Sequence, residues 1–316
     1  MIDAIGGYFG LEQSCAEHYH ATALRLNTAR NCLEYILLAR QYKHIYLPAY
    51  TCDVLLEPLQ KHNVRYTFYP VTMQLEPAYM PDLKHDEALL YTNYFGLKQD
   101  CMDRLARQYG SQLIADNAQA FYAQPIAGID TFYSPRKFFG VPDGAYLYTD
   151  AVFTDDLEQD VSWQRASHLL TRIDCGAETG YEMYVRNNAT LHNQPMRHMS
   201  QLTEAMLAGV DYGKAADVRR ENFLYLQRNL VHHPLHLSLP EDAVPMVYPY
   251  YTEDISLRKR LAEQRIYTAK YWQCVHNWSK DGDVAADLTE HLIPLPCDQR
   301  YGVADMDRIR QFVNNN

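Results

Sequence analysis

The residue with the most distinctive chemistry is Lys137, which lies in the run SPRKFFG at 134–140, where a strand-like stretch gives way to a turn. A lysine amine that aromatic and apolar neighbours partly remove from water is more often neutral and nucleophilic. That chemistry suits a Schiff base with an aldehyde cofactor. By itself the pattern is more typical of a surface lysine whose stem lies over Phe138, so its interpretation depends on other residues.

A second candidate is Asp116, which stands at the carboxyl end of the buried-type strand QLIA at 112–115. A carboxylate there faces a desolvation cost and needs a cationic or hydrogen-bonding partner. A protonated pyridine nitrogen is such a partner, and Gln119 could donate to a phenolic oxygen on the same ring. Taken alone, Asp116 is equally well interpreted as the N-cap of the next segment.

A third candidate is the helix start at Thr28. Free backbone N–H groups at a helix N-terminus, together with a threonine hydroxyl, form an anion site suited to phosphate, and Arg30 could add charge. The simpler interpretation is an ordinary N-cap.

Other chemistries have little support in the sequence. Ser134 and Lys137 have the S-x-x-K spacing of serine acyl-enzymes, but K-T-G and S-D-N motifs are absent, and Gly140 and Pro142 prevent a long helix after Lys137. The 13 histidines form no HExxH motif and the seven cysteines no CxxC pair, which argues against a metal centre and a disulfide framework and favours a reducing cytoplasm.

The composition of the 316-residue chain excludes further classes. Its net charge of -10 without a long basic run argues against nucleic-acid binding. No apolar run approaches the roughly 18 residues of a membrane span, and the N-terminus does not have the pattern of a signal peptide. We therefore expect a cytoplasmic protein.

Alternating strands and helices from about 28 to 150 predict an α/β fold with a mostly parallel sheet, in which ligands bind outside the carboxyl ends of the strands. Asn93, Asp116 and Lys137 all fall at such ends. We predict an N-terminal arm at 1–25, a cofactor-binding large domain at 26–205 and a small C-terminal α+β domain at 206–316.

Taken together, these segments resemble the DegT/DnrJ/EryC1/StrS family of pyridoxal-phosphate aminotransferases, which act largely on keto sugars attached to nucleotides. The resemblance runs along most of the chain, and no single match is as specific as the ordered series. It is carried by TARNCL at 28–33, LPAYTC at 47–52, NYFGL at 93–97, ADNAQA at 115–120, YSPRK at 133–137, DGA at 143–145, MSQL at 199–202 and the helical run 257–266.

The resemblance implies a three-layer α/β/α fold of the fold-type-I class and a homodimer with active sites at the subunit interface. Lys137 would be the catalytic residue that binds pyridoxal 5'-phosphate and shuttles protons. Asp116 would hold the pyridinium and Gln119 the ring hydroxyl. The phosphate would be bound by the start of the first helix and the lysine segment, namely by Thr28, Ala29, Arg30 and Ser134.

The chain departs from the family pattern on the face of the cofactor ring. The position of the usual aromatic residue is occupied by Cys52, so Tyr50 or Asn93 is the candidate to cover that face. The histidine of the family segment around Asn93 is absent, and the glycine of the phosphate segment is Ala29.

The sequence therefore predicts a transaminase that takes an amino group, with glutamate as the expected donor, and passes it to a keto sugar nucleotide. A cofactor-binding member without turnover, with a regulatory or scaffolding role, is the alternative. Sugar deoxygenation is a third, but in that branch of the family histidine replaces the lysine, so Lys137 argues against it.

Overall fold

The computed structural model describes residues 7–12, 16–230, 235 and 237–314. The predicted N-terminal arm therefore lies partly outside the described residues, which omit 1–6 and 13–15. Of the described arm residues, His18 and His20 are buried. Their rings approach Tyr146 on the central sheet, and Nδ1 of His18 lies 2.6 Å from the Tyr146 hydroxyl.

The central element is a seven-stranded mixed sheet with the strand order β1-β7-β6-β5-β4-β2-β3. The five strands β6, β5, β4, β2 and β3 run parallel, and β7 pairs antiparallel with both β6 and β1. The strands are β1 (Leu24–Leu26), β2 (His44–Pro48), β3 (Arg65–Tyr69), β4 (Glu87–Thr92), β5 (Leu113–Asn117), β6 (Asp130–Tyr133) and β7 (Ala145–Tyr148).

Helices cover both faces of this sheet. Helices α1 (Ala29–Arg40) and α2 (Leu56–Lys61) lie on one face, and α3 (Gln99–Tyr109) lies on the other. The chain continues with α4 (Ser167–Ala189), α5 (Gln201–Ala208) and α6 (Tyr212–Asn229). Gly176, at φ +85°, interrupts α4.

Because side chains alternate along a strand, each central strand contributes side chains to two hydrophobic cores, one on each face of the sheet. On β4, Leu90 packs with Leu33 of α1 and Leu59 of α2. Its neighbours Leu89 and Tyr91 belong to the opposite core, which includes Leu105 of α3. This arrangement confirms the predicted three-layer α/β/α fold with a mostly parallel sheet.

The C-terminal part is a small α+β unit. A two-stranded antiparallel sheet joins β8 (Tyr248–Tyr251) to β9 (Leu292–Leu295), and α7 (Leu257–Glu263), α8 (Val284–His291) and α9 (Val303–Asn314) complete the unit. Helix α6 packs against α9 and β8. The domain boundaries themselves stay a prediction. No helix in the described part of the chain is long and apolar enough to cross a membrane.

The buried arm histidine makes stability depend on pH. Burial lowers the pKa of His20 from 6.5 to about 4, although its ring N–H donates to the carbonyl oxygen of Phe121 at 2.8 Å. Between these values the unfolded chain takes up a proton that the folded chain does not. The free energy of unfolding should therefore fall as the pH drops from 6.5 to 4, by up to ~3 kcal/mol from this group.

Urea denaturation at both ends of this window tests the prediction, and His20→Gln should reduce the pH dependence. His85→Gln is the control, because the His85 side chain is 95% exposed. An unchanged pH dependence in His20→Gln would contradict the assignment.

Candidate active site

The carboxyl ends of the parallel strands bring the predicted residues to one edge of the sheet. Asn93 follows β4, Asp116 is the next-to-last residue of β5, and Lys137 follows β6. Burial raises the pKa of the Asp116 carboxyl and of the Cys52 thiol, and in both cases the charge of Lys137 opposes that rise. Asp116, Cys52 and Lys137 therefore lie within electrostatic reach of one another.

Asp116 is a buried carboxylate, 6% exposed, that forms no ion pair with a described residue. One oxygen accepts the Ala118 N–H at 2.9 Å, and the other accepts the Thr92 hydroxyl at 3.1 Å. These two bonds fix its orientation without neutralising its charge. A cationic ligand group beside it would offset the desolvation cost.

Gln119 carries an unsatisfied donor beside this carboxylate. Its side-chain oxygen accepts the Phe95 N–H at 2.9 Å, which fixes the amide orientation. The Nε2 group is buried and has no hydrogen-bond partner in the described part of the chain. Because an unpaired buried donor costs free energy, this amide is suited to a ligand oxygen.

Lys137 lies on a short 3-10 turn, Pro135–Lys137. The sequence predicted a partly desolvated amine, and this is wrong for the single chain, in which the Lys137 side chain is exposed. The cause is the direction of the turn: Phe138 and Phe139 enter the core, at 4% and 8% exposed, and leave the lysine on the open side.

The lysine turn is anchored by Arg219 of α6, a residue that the sequence analysis missed. Its guanidinium is 1% exposed and donates to the carbonyl oxygen of Phe138 at 3.1 Å. It also donates to the carbonyls of Pro245 and Met246 and to the Gln299 side chain. This role could not be recognised from the sequence, because an arginine within a polar helix is usually a surface residue.

The start of α1 has the N-cap that the simpler interpretation predicted. The Thr28 hydroxyl accepts the Asn31 N–H at 3.2 Å and donates to the Asn31 side chain at 2.5 Å. The N–H groups of Ala29 and Arg30 remain as anion donors there, because the first residues of a helix have no intrahelical acceptor. The Arg30 side chain forms an ion pair with Glu57 at 2.5 Å, so its charge is already neutralised.

The other predicted residues differ in whether their side chains are already hydrogen-bonded within the protein. Ser134 is buried and caps no backbone group of its turn. The Asn93 side chain is committed to Gln99 and to the Lys98 N–H. Tyr50 is fully buried and donates to the Tyr271 carbonyl oxygen at 3.3 Å. Cys52 is partly exposed and lies within electrostatic reach of Lys137.

Comparisons with known proteins show which fold the chain has. The sequence matches no protein-family model and no curated protein. The structure is similar to Helicobacter pylori PseC, an aminotransferase involved in the biosynthesis of pseudoaminic acid, with a TM-score of 0.64 and 13% identity over 93% of this chain and 86% of that chain.

Two further solved structures agree. A DegT DnrJ EryC1 StrS aminotransferase from Brucella abortus gives a TM-score of 0.58 at 15% identity, covering 93% of this chain and 85% of that chain. DesI in the presence of its TDP-sugar product gives 0.63 at 15% identity, covering 93% and 80%. The chain thus has the fold of the sugar aminotransferases, and the resemblance is confirmed at the level of the fold.

The buried hydrogen bonds of Arg219 predict that the variant Arg219→Met loses much of its stability to unfolding. The substitution leaves the carbonyl oxygens of Pro245 and Met246 without their buried donor, so the free energy of unfolding should fall by ~3 kcal/mol or more. Arg228→Met is the matched control on the same helix, where the side chain is exposed, and should change stability by less than ~0.5 kcal/mol. Equal effects in urea denaturation would contradict the role of Arg219.

Proposed function

We propose that the protein is a pyridoxal-phosphate-dependent transaminase that transfers an amino group from glutamate to a nucleotide-linked keto sugar. The observation that carries the proposal is the buried edge where, among the described residues, Asp116 forms no ion pair and the Gln119 amide has no hydrogen-bond acceptor, within electrostatic reach of Lys137. A pyridinium N–H and a ring oxygen would satisfy these two groups.

When bound, pyridoxal phosphate supplies an aldehyde for amine capture and a ring that withdraws electrons from the substrate carbon. Asp116 would hold the proton on the ring nitrogen, and Gln119 would donate to the ring oxygen. The amine of Lys137 would bind the aldehyde carbon and, when free, accept and return a proton at the substrate carbon. Ser134 and the N–H groups at the start of α1 would bind the phosphate.

A cleft of about 720 Å³ between α4 and the small C-terminal unit supports an anionic substrate. Arg172, Arg258 and Lys259 line it and form no ion pair with a described residue. The carboxylates of the cleft are already partnered: Glu178 binds Arg265 at 2.7 Å, and Glu290 binds Lys270 at 2.8 Å. The uncompensated cations favour a phosphate-bearing ligand.

The cleft also carries an unsatisfied polar atom. The Thr268 hydroxyl, on its wall, is buried without a hydrogen-bond partner in the described part of the chain. The same segment continues to Tyr271, whose carbonyl oxygen accepts from Tyr50. DesI, one of the similar structures, was solved with a TDP-sugar. These points support a nucleotide-linked sugar for this chain.

The proposal includes a homodimer. Lys137 is exposed in the single chain, whereas an amine that must stay neutral needs a site closed to water. A partner subunit would supply that closure. The homodimer and the cytoplasmic location stay predictions from the sequence.

Borohydride trapping tests the cofactor assignment. Reduction of the protein with bound pyridoxal phosphate should fix the pyridoxyl group on the peptide that carries Lys137, as read by mass spectrometry. Lys137→Ala should show no labelling, while Lys280→Ala, which changes an exposed lysine, should be labelled fully. Labelling elsewhere, or full labelling of Lys137→Ala, would overturn the assignment.

Release of 2-oxoglutarate from glutamate separates turnover from mere cofactor binding. The loaded enzyme should release about one equivalent per site without any acceptor. Labelling at Lys137 with no release from glutamate or another amino donor would favour the alternative, a cofactor-binding protein without transaminase activity.

The cleft predicts where the substrate's phosphates bind. Replacing Arg172 and Lys259 together by alanine should weaken the binding of uridine diphosphate about tenfold in calorimetry, a loss of ~1.4 kcal/mol. Release of 2-oxoglutarate from glutamate should not change. Lys280→Ala serves again as the control, and unchanged nucleotide affinity in the double variant would contradict the cleft assignment.

A further inference from the structure

Three arginines lie close together near the lysine turn, and only one of them has no carboxylate partner. Arg30 binds Glu57 at 2.5 Å. Arg165 binds Asp143 at 2.6 Å and also contacts Asp160. Arg136, immediately before Lys137, forms no ion pair with any residue that the structure describes.

The polar contact of the Arg136 side chain is neutral. Its guanidinium donates to the amide oxygen of Asn188 at 3.0 Å. Burial lowers the pKa of Arg136, and the charges of Arg30 and Arg165 lower it further. Asp143 attracts it, but that carboxylate is already held by Arg165 and by the Thr203 hydroxyl. A partly buried cation among like charges is unfavourable unless an anion joins it.

The contacts of Arg136 place it beside the proposed phosphate donors. It lies two residues after Ser134. Asn188, its hydrogen-bond partner, is four residues before His192, whose Nδ1 lies 3.3 Å from Nη1 of Arg30. The same short stretch therefore contacts Arg136 and the first turn of α1, where free N–H groups point outward.

We propose that Arg136 binds the phosphate monoester of the cofactor, together with the Ser134 hydroxyl and the N–H groups at the start of α1. The proposal rests on the proposed function, because it assigns a ligand group at the same site. A phosphate dianion supplies the counter-charge that Arg136 lacks, and a guanidinium binds two phosphate oxygens at once. The phosphates of the substrate have the same chemistry, so the test must separate the two sources.

The decisive comparison is between pyridoxal phosphate and pyridoxal, which lacks the phosphate. Arg136→Met should weaken binding of pyridoxal phosphate roughly 10- to 100-fold in equilibrium dialysis and leave pyridoxal binding unchanged. Arg136→Lys should recover part of the loss. Equal weakening of both ligands would show a structural role only, and unchanged binding of both would overturn the proposal.

Uridine diphosphate identifies the source of the phosphate. Its affinity should be the same in Arg136→Met and wild type. If it weakens while pyridoxal phosphate binding does not change, Arg136 belongs to the substrate site and the proposal is wrong.

Inorganic phosphate gives a readout that does not depend on the cofactor chemistry. Phosphate, compared with chloride at equal ionic strength, should raise the Tm of the cofactor-free wild type and have no effect on Arg136→Met. Arg228→Met is the control, because it removes an exposed arginine outside the cluster and should keep the phosphate response. A phosphate response that persists in Arg136→Met would overturn the proposal.

Two outcomes separate this proposal from the proposed function. If borohydride fixes no pyridoxyl group on Lys137 of the wild type, the proposed function fails. The effect of phosphate on the Tm still tests whether Arg136 is an anion site.

If Arg136→Met does not fold, Arg136→Lys replaces it in the binding comparison, since lysine keeps the charge but loses the two-point contact. Unchanged affinity for pyridoxal phosphate in that variant would count against the proposal.

Discussion

The buried guanidinium of Arg219 is the contact on which the geometry of the site depends. It lies on α6, stacks at 4.5 Å over the Phe138 ring and donates to carbonyl oxygens of the lysine turn and of the segment before β8. A desolvated cation satisfied by neutral carbonyls must keep all of them to remain favourable. The position of the lysine turn is therefore coupled to the packing of the small C-terminal unit. Gln299 strengthens that coupling, because its amide donates to the same Phe138 oxygen at 2.8 Å.

Around this anchor, the parallel sheet determines which groups can meet. Thr92 and Asp116 are register partners on β4 and β5, so the hydroxyl of one lies beside the carboxylate of the other. The β5–β6 register in turn sets where the chain leaves the sheet toward Lys137. The candidate site thus arises from neighbouring strands that end at one edge, and distant segments supply only its walls. This explains why residues far apart in sequence form one site with little specialised loop structure.

The same reasoning shows what sequence could and could not predict. Strands such as Arg65–Tyr69 and Ala145–Tyr148 were predictable from their aromatic runs between turns, and Asp116 from its place after a buried strand. Strand β9 was missed because Leu292–Leu295 is short and contains a proline that faces Pro249 of β8. Taken by itself, the sequence around Lys137 favoured the surface position that the structure has. The burial of Arg219 could not be predicted, since it depends on how the lysine turn is oriented against a helix some 80 positions away.

Charge distribution gives the last constraint on the ligand. The chain carries a net charge of -10, so an anionic ligand gains nothing from the overall field. Two groups of cations nevertheless form no ion pair with a described residue: Arg136 beside the lysine turn, and Arg172, Arg258 and Lys259 in the cleft. Arg136 and Arg258 are partly desolvated, and a desolvated cation without a counter-ion costs stability until an anion joins it. The physical consequence is local attraction for anions at two separate places, which under the proposed function would be met by the phosphate of the cofactor and by the phosphates of the substrate.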